Sequence, residues 1–388
     1  MTSYFKNILK IIVFIGFGAV HAGSYEDYFV AVKRDDVATV DGLLARGFDP
    51  NTRDPNGLSG LYLALRDGGL RVEIPQGNVL ATVLAASGFA ATAQEKVTVQ
   101  LKWLPQAQFA GYYVAQAKGY YKAEGLDVTI KAGGPDISPV QVIAGKGADV
   151  VVNWMPDALA AREAGVPLVN IAQVFNRSGM MLTCKKSSGV STPKDLKGKT
   201  LGVWFGGNEY PFLNWMAKLG LKPDTDIKIM KQGFNVDPLL QNQAACISTM
   251  IYNEYWQVVD AGVKESDLVT FFYEDQGVAS LEDGLYVLES NLKDPAFVKR
   301  MAKFLRASFK GWNDAVKDPA GAAKVVVAAD TSGSSNEKVQ KRQMENVAKL
   351  ITTANGPKMG YLEPAAYERT VKVLLSSGSS PVIKKDPG

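Results

Sequence analysis

The chain of 388 residues has one histidine, His21, and two cysteines, Cys184 and Cys246. Two cysteines cannot make a cysteine-only zinc site. One histidine near the amino terminus leaves metal chemistry and histidine-dependent nucleophilic catalysis poorly supplied. Neither a metal nor a cofactor is expected, and the chain does not read as an enzyme. The cysteines could pair in an oxidising space or stay as two buried thiols, and the sequence leaves both open. Runs of basic residues interleaved with aromatics are missing too. Lysines and arginines such as Lys299, Arg300, Lys338 and Arg342 scatter along helix faces, and the net charge is only +4. Nucleic acid is therefore not an expected partner. No long apolar run is present: Ile11–Val20 is too short to cross a bilayer comfortably. What remains is a chain with 46% apolar and 21% charged residues, the balance of a globular protein long enough for two or three domains.

The first 93 residues do not resemble the rest. Lys6 and Lys10 precede the apolar run, and Val20-His21-Ala22 followed by Gly23 has the small residues of a cleavage site. Residues 1–22 therefore read as an export signal, with no cysteine after the site to carry a lipid. In residues 23–74, Val32, Val37, Val40, Leu43 and Leu44 recur at helical spacing, followed by the turn-rich Ala45–Gly57 and by Leu61–Leu65. This segment resembles one and a half ankyrin repeats, which is short of the three or so that stack stably, and its partner is unknown. Residues 75–93 end in Ala91-Thr-Ala93. They read either as an apolar linker helix or as a second signal peptide stranded inside the chain. On the second reading the protein is a fusion, and its function lies in Gln94–Gly388.

From Gln94 onward, strand and helix patterns alternate. Val97, Val99, Leu101 and Trp103 alternate with Lys96, Thr98, Gln100 and Lys102, the period of a strand. Helix-like and strand-like segments follow in turn to about residue 174, and the pattern restarts after about residue 180. Such alternation predicts α/β units built on mostly parallel sheets with covered faces. Two successive units predict two lobes with a cleft between them.

Ligands of open α/β sheets sit beyond the carboxyl ends of the strands. Four polar-aromatic turns fall there: Trp103–Tyr113, Asn153–Asp157, Trp204–Tyr210 and Ile251–Trp256. Each sets an aromatic beside an amide or carboxylate, a chemistry suited to a planar nitrogen heterocycle. The glycine pair Gly206-Gly207 lets backbone approach a ligand closely. Glu209 and the absence of a following lysine oppose a phosphate there. Plainer readings stand beside these. Trp103, Trp154 or Trp256 could each be a core aromatic, Asn253 and Glu254 could cap a helix, and Glu282-Asp283 could be a solvated turn pair.

The segment from Lys96 to about Trp312 resembles the thiamine-pyrimidine precursor family of periplasmic binding proteins that serve ABC importers. The resemblance is carried by Gln108–Ala115, Gly119–Val128, Asp195–Tyr210, Met250–Tyr255 and Leu281–Leu288. It implies a type II-like, two-lobed periplasmic binding protein fold, with residues 94–178 and 284–388 in one lobe and 179–283 in the other. It also implies a periplasmic location, a small pyrimidine-like or similar heteroaromatic ligand, and an ABC permease in the inner membrane as partner. The site residues expected are Trp103, Gln108, Tyr112, Asn153, Trp154, Trp204, Gly206, Gly207, Asn208, Glu209, Tyr210, Asn253 and Glu254. Trp103 with Tyr210 or Trp154 would stack, and Glu209 would accept from an exocyclic amine. Alternatives are a riboflavin-like ligand, or a sulfonate or taurine for which Arg162 and Arg177 are the cationic candidates. Others are an ankyrin-mediated interaction protein and a thiamine-pyrimidine synthase. The synthase branch of this family carries a histidine where this chain has Phe109, so synthesis is disfavoured.

Overall fold

The structure, a computed structural model, describes residues 22–34, 36–46, 48–49, 52–55, 94–331, 333, 335–351, 358–376 and 381–388. The chain divides into two units, residues 1–93 and 94–388. In the first, the helices Ala22–Arg34 and Val37–Ala45 pack through Tyr28, Val32, Val40, Leu43 and Phe48. Asp36 starts the second helix by accepting the Thr39 N–H at 3.1 Å. Residues 1–21 of the expected export signal, most of the expected second ankyrin-like half and the apolar run at 75–93 lie outside the described residues. No described helix is long and apolar enough to cross a membrane.

Among its described residues the second unit holds ten strands in two sheets. In chain order they are β1 (Glu95–Gln100), β2 (Leu126–Lys131), β3 (Val150–Asn153), β4 (Leu168–Gln173), β5 (Met180–Lys185), β6 (Thr200–Val203), β7 (Lys228–Lys231), β8 (Cys246–Met250), β9 (Leu268–Phe272) and β10 (Gly284–Leu288). The sheets share one topology, β2-β1-β3-β10-β4 and β7-β6-β8-β5-β9. Both are mostly parallel, as expected, with four of the five strands in each running the same way. In each sheet one strand, β10 or β5, runs antiparallel to both its neighbours. These are the two strands by which the chain enters a lobe directly from the other one. Strands joined through a helical crossover run parallel, and a strand entering straight from the opposite lobe has no such constraint.

The long helix Pro295–Lys317 closes the back of the first lobe. Asp294 caps it and Pro295 opens it. It buries Phe297, Met301, Phe304, Ser308, Gly311 and Trp312, a stripe at helical spacing. Its partner is the helix Ala110–Ala117. A side chain on Gly111 would come within 2.1 Å of the Trp312 ring, and one on Gly311 within 2.1 Å of the Gly111 carbonyl. That close approach explains the glycine in Gln108–Ala115. It also explains Tyr112, which is 1% exposed and lies in this interface against Phe304 and Trp312. Tyr112 faces the core rather than the cleft, a correction to its placement among the ligand residues.

Cys184 and Cys246 face each other across the β5–β8 ladder and form a disulfide. The bridge joins residues 62 apart in sequence, so it constrains the unfolded chain substantially. Replacing both cysteines with alanine is expected to cost about 2–4 kcal/mol in urea unfolding. A loss below about 1 kcal/mol would show that β5–β8 pairing holds without the bridge.

Candidate ligand-binding cleft

Four carboxyl-terminal strand ends converge on a single pocket. The turn after β1 brings Lys102, Trp103, Gln106 and Gln108, and the end of β3 brings Trp154. The turn after β6 brings Trp204 and Asn208, and the end of β8 brings Met250, Tyr252 and Glu254. The space they leave free in this arrangement is about 30 Å³, roughly one water, so a larger ligand enters only as the lobes part. Trp103 and Trp204 meet edge-on with centroids 6.2 Å apart, one from each lobe. Trp204 is fixed by its indole N–H, which donates to the Gly233 carbonyl at 2.8 Å.

A hydrogen-bonded chain of side chains runs beneath the pocket from one lobe to the other. Asn253 donates through Nδ2 to Glu254 at 2.8 Å and to Gln106 at 3.1 Å. Gln106 donates to Gln108 at 2.6 Å, and Gln108 to Asp283 at 2.5 Å. The second oxygen of Asp283 accepts the Trp154 indole N–H at 2.9 Å. A carboxylate at each end fixes the direction of every amide between them. Burial pushes Glu254 up to about 7 against the hydrogen bonds it accepts, among them the Met250 N–H. Burial likewise raises Asp283 to about 6, opposed by Gln108, by the Lys102 charge and by Trp154.

Lys102 is the cation of this site. It is 7% exposed and donates to Asn153 Oδ1 at 3.3 Å and to the Gly206 carbonyl at 3.1 Å, and so joins the lobes. Its ammonium lies 5.8 Å from the Trp154 ring centre. Burial lowers its pKa, while Asp157, Asp283 and Glu209 pull the other way.

The turn after β6 needs its glycines. Gly206 and Gly207 have φ of 82° and 97°, and a side chain on Gly207 would meet Asp157 at 2.5 Å. Glu209 sits at the start of the helix Glu209–Lys218, where it accepts the Gly207 N–H at 2.8 Å. It closes the turn and does not line the pocket. Asn208 does, and its Oδ1 is buried with no partner in the protein.

Residues 106–322, more than half of the chain and most of the walls just described, match the family described as NMT1/THI5 like. The chain belongs to the NMT1/THI5-like family. A formylaminopyrimidine-binding protein of Halalkalibacterium halodurans is 26% identical over 304 residues, 76% of this chain and 89% of that protein. A 4-amino-5-hydroxymethyl-2-methylpyrimidine phosphate synthase of Schizosaccharomyces pombe is 28% identical over 148 residues, 38% of this chain and 42% of the synthase. Among solved structures, an alkanesulfonate-binding protein of Xanthomonas axonopodis pv. citri, bound to MOPS, aligns with a TM-score of 0.55 at 15% identity. The match covers 73% of this chain and 93% of that one. At that identity the likeness shows the fold: two lobes of the periplasmic binding protein type.

Of the residues expected from sequence for this NMT1/THI5-like site, Trp103, Gln108, Trp154, Trp204, Asn208 and Glu254 line the pocket. Asn153 and Asn253 stand behind it, as partners of Lys102 and Gln106. Tyr210 packs with the apolar cluster around Leu281 and Tyr286. Trp256 lies under the Arg342 guanidinium, 4.8 Å from its centre, away from the pocket. Glu282 and Asp283 are both buried, so they are not a solvated turn pair. Sequence reasoning missed Lys102, Gln106, Met250 and Tyr252. Lys102 alternates with apolar neighbours as a solvent-facing residue would, and its partners, Asn153 and Gly206, lie far along the chain. Among the described residues, no group of three His, Cys, Asp or Glu side chains could hold a metal ion.

Proposed function

We propose that this protein is an exported, periplasmic solute-binding protein that captures a small planar nitrogen heterocycle of the thiamine-pyrimidine class and presents it to an ABC permease. The observation that carries this is a pocket walled by indole rings, with a buried, unpartnered acceptor on Asn208. A heterocycle stacked there gains on the order of 1–3 kcal/mol per ring face. Its exocyclic N–H would satisfy Asn208, whose lone acceptor otherwise costs about 1–3 kcal/mol. The relative that binds formylaminopyrimidine supports the ligand class, and it spans both lobes.

Binding is favoured over synthesis by the place of Phe109. It occupies the position of the synthase branch's histidine, yet here it is fully buried in the core and lines no part of the pocket. The sulfonate reading loses ground with its arginines. Arg162 donates to Glu289 and to two backbone carbonyls outside the cleft, and Arg177 does not line the pocket.

Calorimetry of the full chain with formylaminopyrimidine, hydroxymethylpyrimidine, riboflavin and taurine tests the reading. A pyrimidine at 100 times its Kd is expected to add about 2.7 kcal/mol of stability, visible as a raised melting temperature. Asn208→Ala is expected to lower pyrimidine affinity about tenfold, whereas Glu209→Gln acts only through the turn and costs less. Taurine binding without pyrimidine binding would overturn the ligand class.

A further inference from the structure

The lobes also meet outside the cleft. The helix Glu337–Ile351 belongs to the first lobe, where it buries Met344, Val347 and Leu350. Its Gln340 and Gln343 both accept the Ala107 N–H, at 2.7 and 2.6 Å. Ala107 sits between Gln106 and Gln108, so this helix holds the first-lobe stretch of the hydrogen-bonded chain beneath the pocket. The helix Glu254–Asp260 belongs to the second lobe and begins at Glu254, where that chain ends. Arg342 ties the two helices together. Its guanidinium donates to both Asp260 oxygens, to Oδ1 at 3.1 Å, and lies 4.8 Å from the Trp256 ring centre.

Trp256 and Asp260 are four residues apart, so one helix face presents a ring and a carboxylate to the same side chain. Trp256 is itself fixed, its indole N–H donating to the Ile251 carbonyl at 2.9 Å. A planar fork needs both carboxylate oxygens in line, and the ring beneath it sets its plane. Such a contact tolerates little relative motion of the bodies it joins. The ion pair Lys231–Asp136, also between the lobes, is looser: 3.9 Å apart, with side chains 68% and 88% exposed, it contributes little. Arg342 and Asp260 are 22% and 42% exposed. The free space in the pocket is about that of one water, so no ligand enters or leaves until the lobes part.

We infer that Arg342 is a positioning residue for ligand capture: its fork on Asp260, laid over Trp256, is a catch on the flank of the molecule that sets how readily the lobes part. It touches no ligand. It acts by holding the helix behind Gln106 and Gln108 against the helix that starts at Glu254, in parallel with the Gln106–Asn253 bond inside the cleft. The inference goes beyond the function proposed above and does not depend on the ligand class, because the catch works on the lobes and not on their contents.

Two variants of the full chain, Arg342→Gln and Asp260→Asn, break the catch from opposite sides. The first readout needs no ligand. Spin labels on Ile137→Cys in the first lobe and Phe234→Cys in the second, both exposed, report the distance between the lobes; the native cysteines are held in their disulfide and take no label. Either variant is expected to lengthen or broaden that distance. The second readout is release of formylaminopyrimidine in stopped flow, expected to quicken about three- to tenfold in each variant, the yield of a partly exposed fork and a cation over a ring. Raising salt from about 0.05 to 0.5 M should quicken release from the parent and leave the variants nearly unmoved. The double variant should release no faster than the faster single one. A label distance unchanged in both variants, or an unchanged release rate, would overturn the inference, and so would rates that multiply in the double variant. If formylaminopyrimidine does not bind, the heterocycle reading falls and the label distance alone decides the catch.

Discussion

Lys102→Met is expected to cost about 3–5 kcal/mol of stability and to weaken ligand binding by about a hundredfold. The side chains are similar in length, so the change removes charge and donors more than volume. Its ammonium holds Asn153 Oδ1 and the Gly206 carbonyl, one from each lobe, and faces the carboxyl groups of Asp157, Asp283 and Glu209. Without it these acidic groups share a buried space with no cation among the walls of the inner pocket. Asp283, already raised by burial, loses the charge that holds it down. A protonated Asp283 can no longer accept from both Gln108 and Trp154 equally, so two walls of the pocket loosen together. Paired urea-unfolding and calorimetric measurements check both effects. The double variant Lys102→Met/Asp283→Asn should recover part of the stability, because it removes one of the stranded charges. A single variant within about 1 kcal/mol of the parent would mean that the carboxyl groups are neutral already.

Lys102 also marks where sequence reading stops. The alternation of Val97, Val99 and Leu101 predicts β1, and strand and helix periods predict the two α/β units, because these are local patterns enforced by burial of one face. Strand direction is not local. Met180–Lys185 and Gly284–Leu288 read like any other apolar strand, and only their direct entry from the opposite lobe sets them antiparallel. The same division holds in the cleft. Trp103, Trp154 and Asn208 are legible because an aromatic or amide at a strand end has few other uses. Glu209 looked like a ligand residue for the same reason, yet its carboxylate is turned back on Gly207. Gln106, Asp283 and Lys102 gain their meaning from partners some 50 to 180 residues away. Tyr112 shows the converse. Gln108 of the same motif faces the cleft, but one helical turn on, Tyr112 lies against Trp312.

Stability is expected to fall as pH rises from about 5 to 8, by on the order of 2–3 kcal/mol for Glu254 and about 1–1.5 kcal/mol for Asp283. Both groups have folded pKa values above their ordinary ones, about 7 against 4.5 for Glu254 and about 6 against 3.8 for Asp283. A group raised on folding stabilises most when protonated. That contribution is complete below the ordinary value and is lost as pH climbs through the folded one. Glu282 moves in the same direction: burial raises it well above the ordinary range, and one of its oxygens has no partner. Carboxylates held low by surface partners, such as Asp226 and Asp314, work in the opposite sense at acid pH. The stability maximum therefore falls between about pH 4 and 5. Glu254→Gln imitates the protonated form, so it should match the parent at pH 5 and exceed its stability at pH 8. A parent profile flat from pH 5 to 8 would contradict the buried-carboxyl account. The same titration reaches the ligand, because Glu254 lines the pocket. Protonated, it can donate to a ring nitrogen; ionised, it can only accept, as from an exocyclic amine. Affinity that falls as pH passes 7 in the parent, but not in Glu254→Gln, would assign it the donor's role.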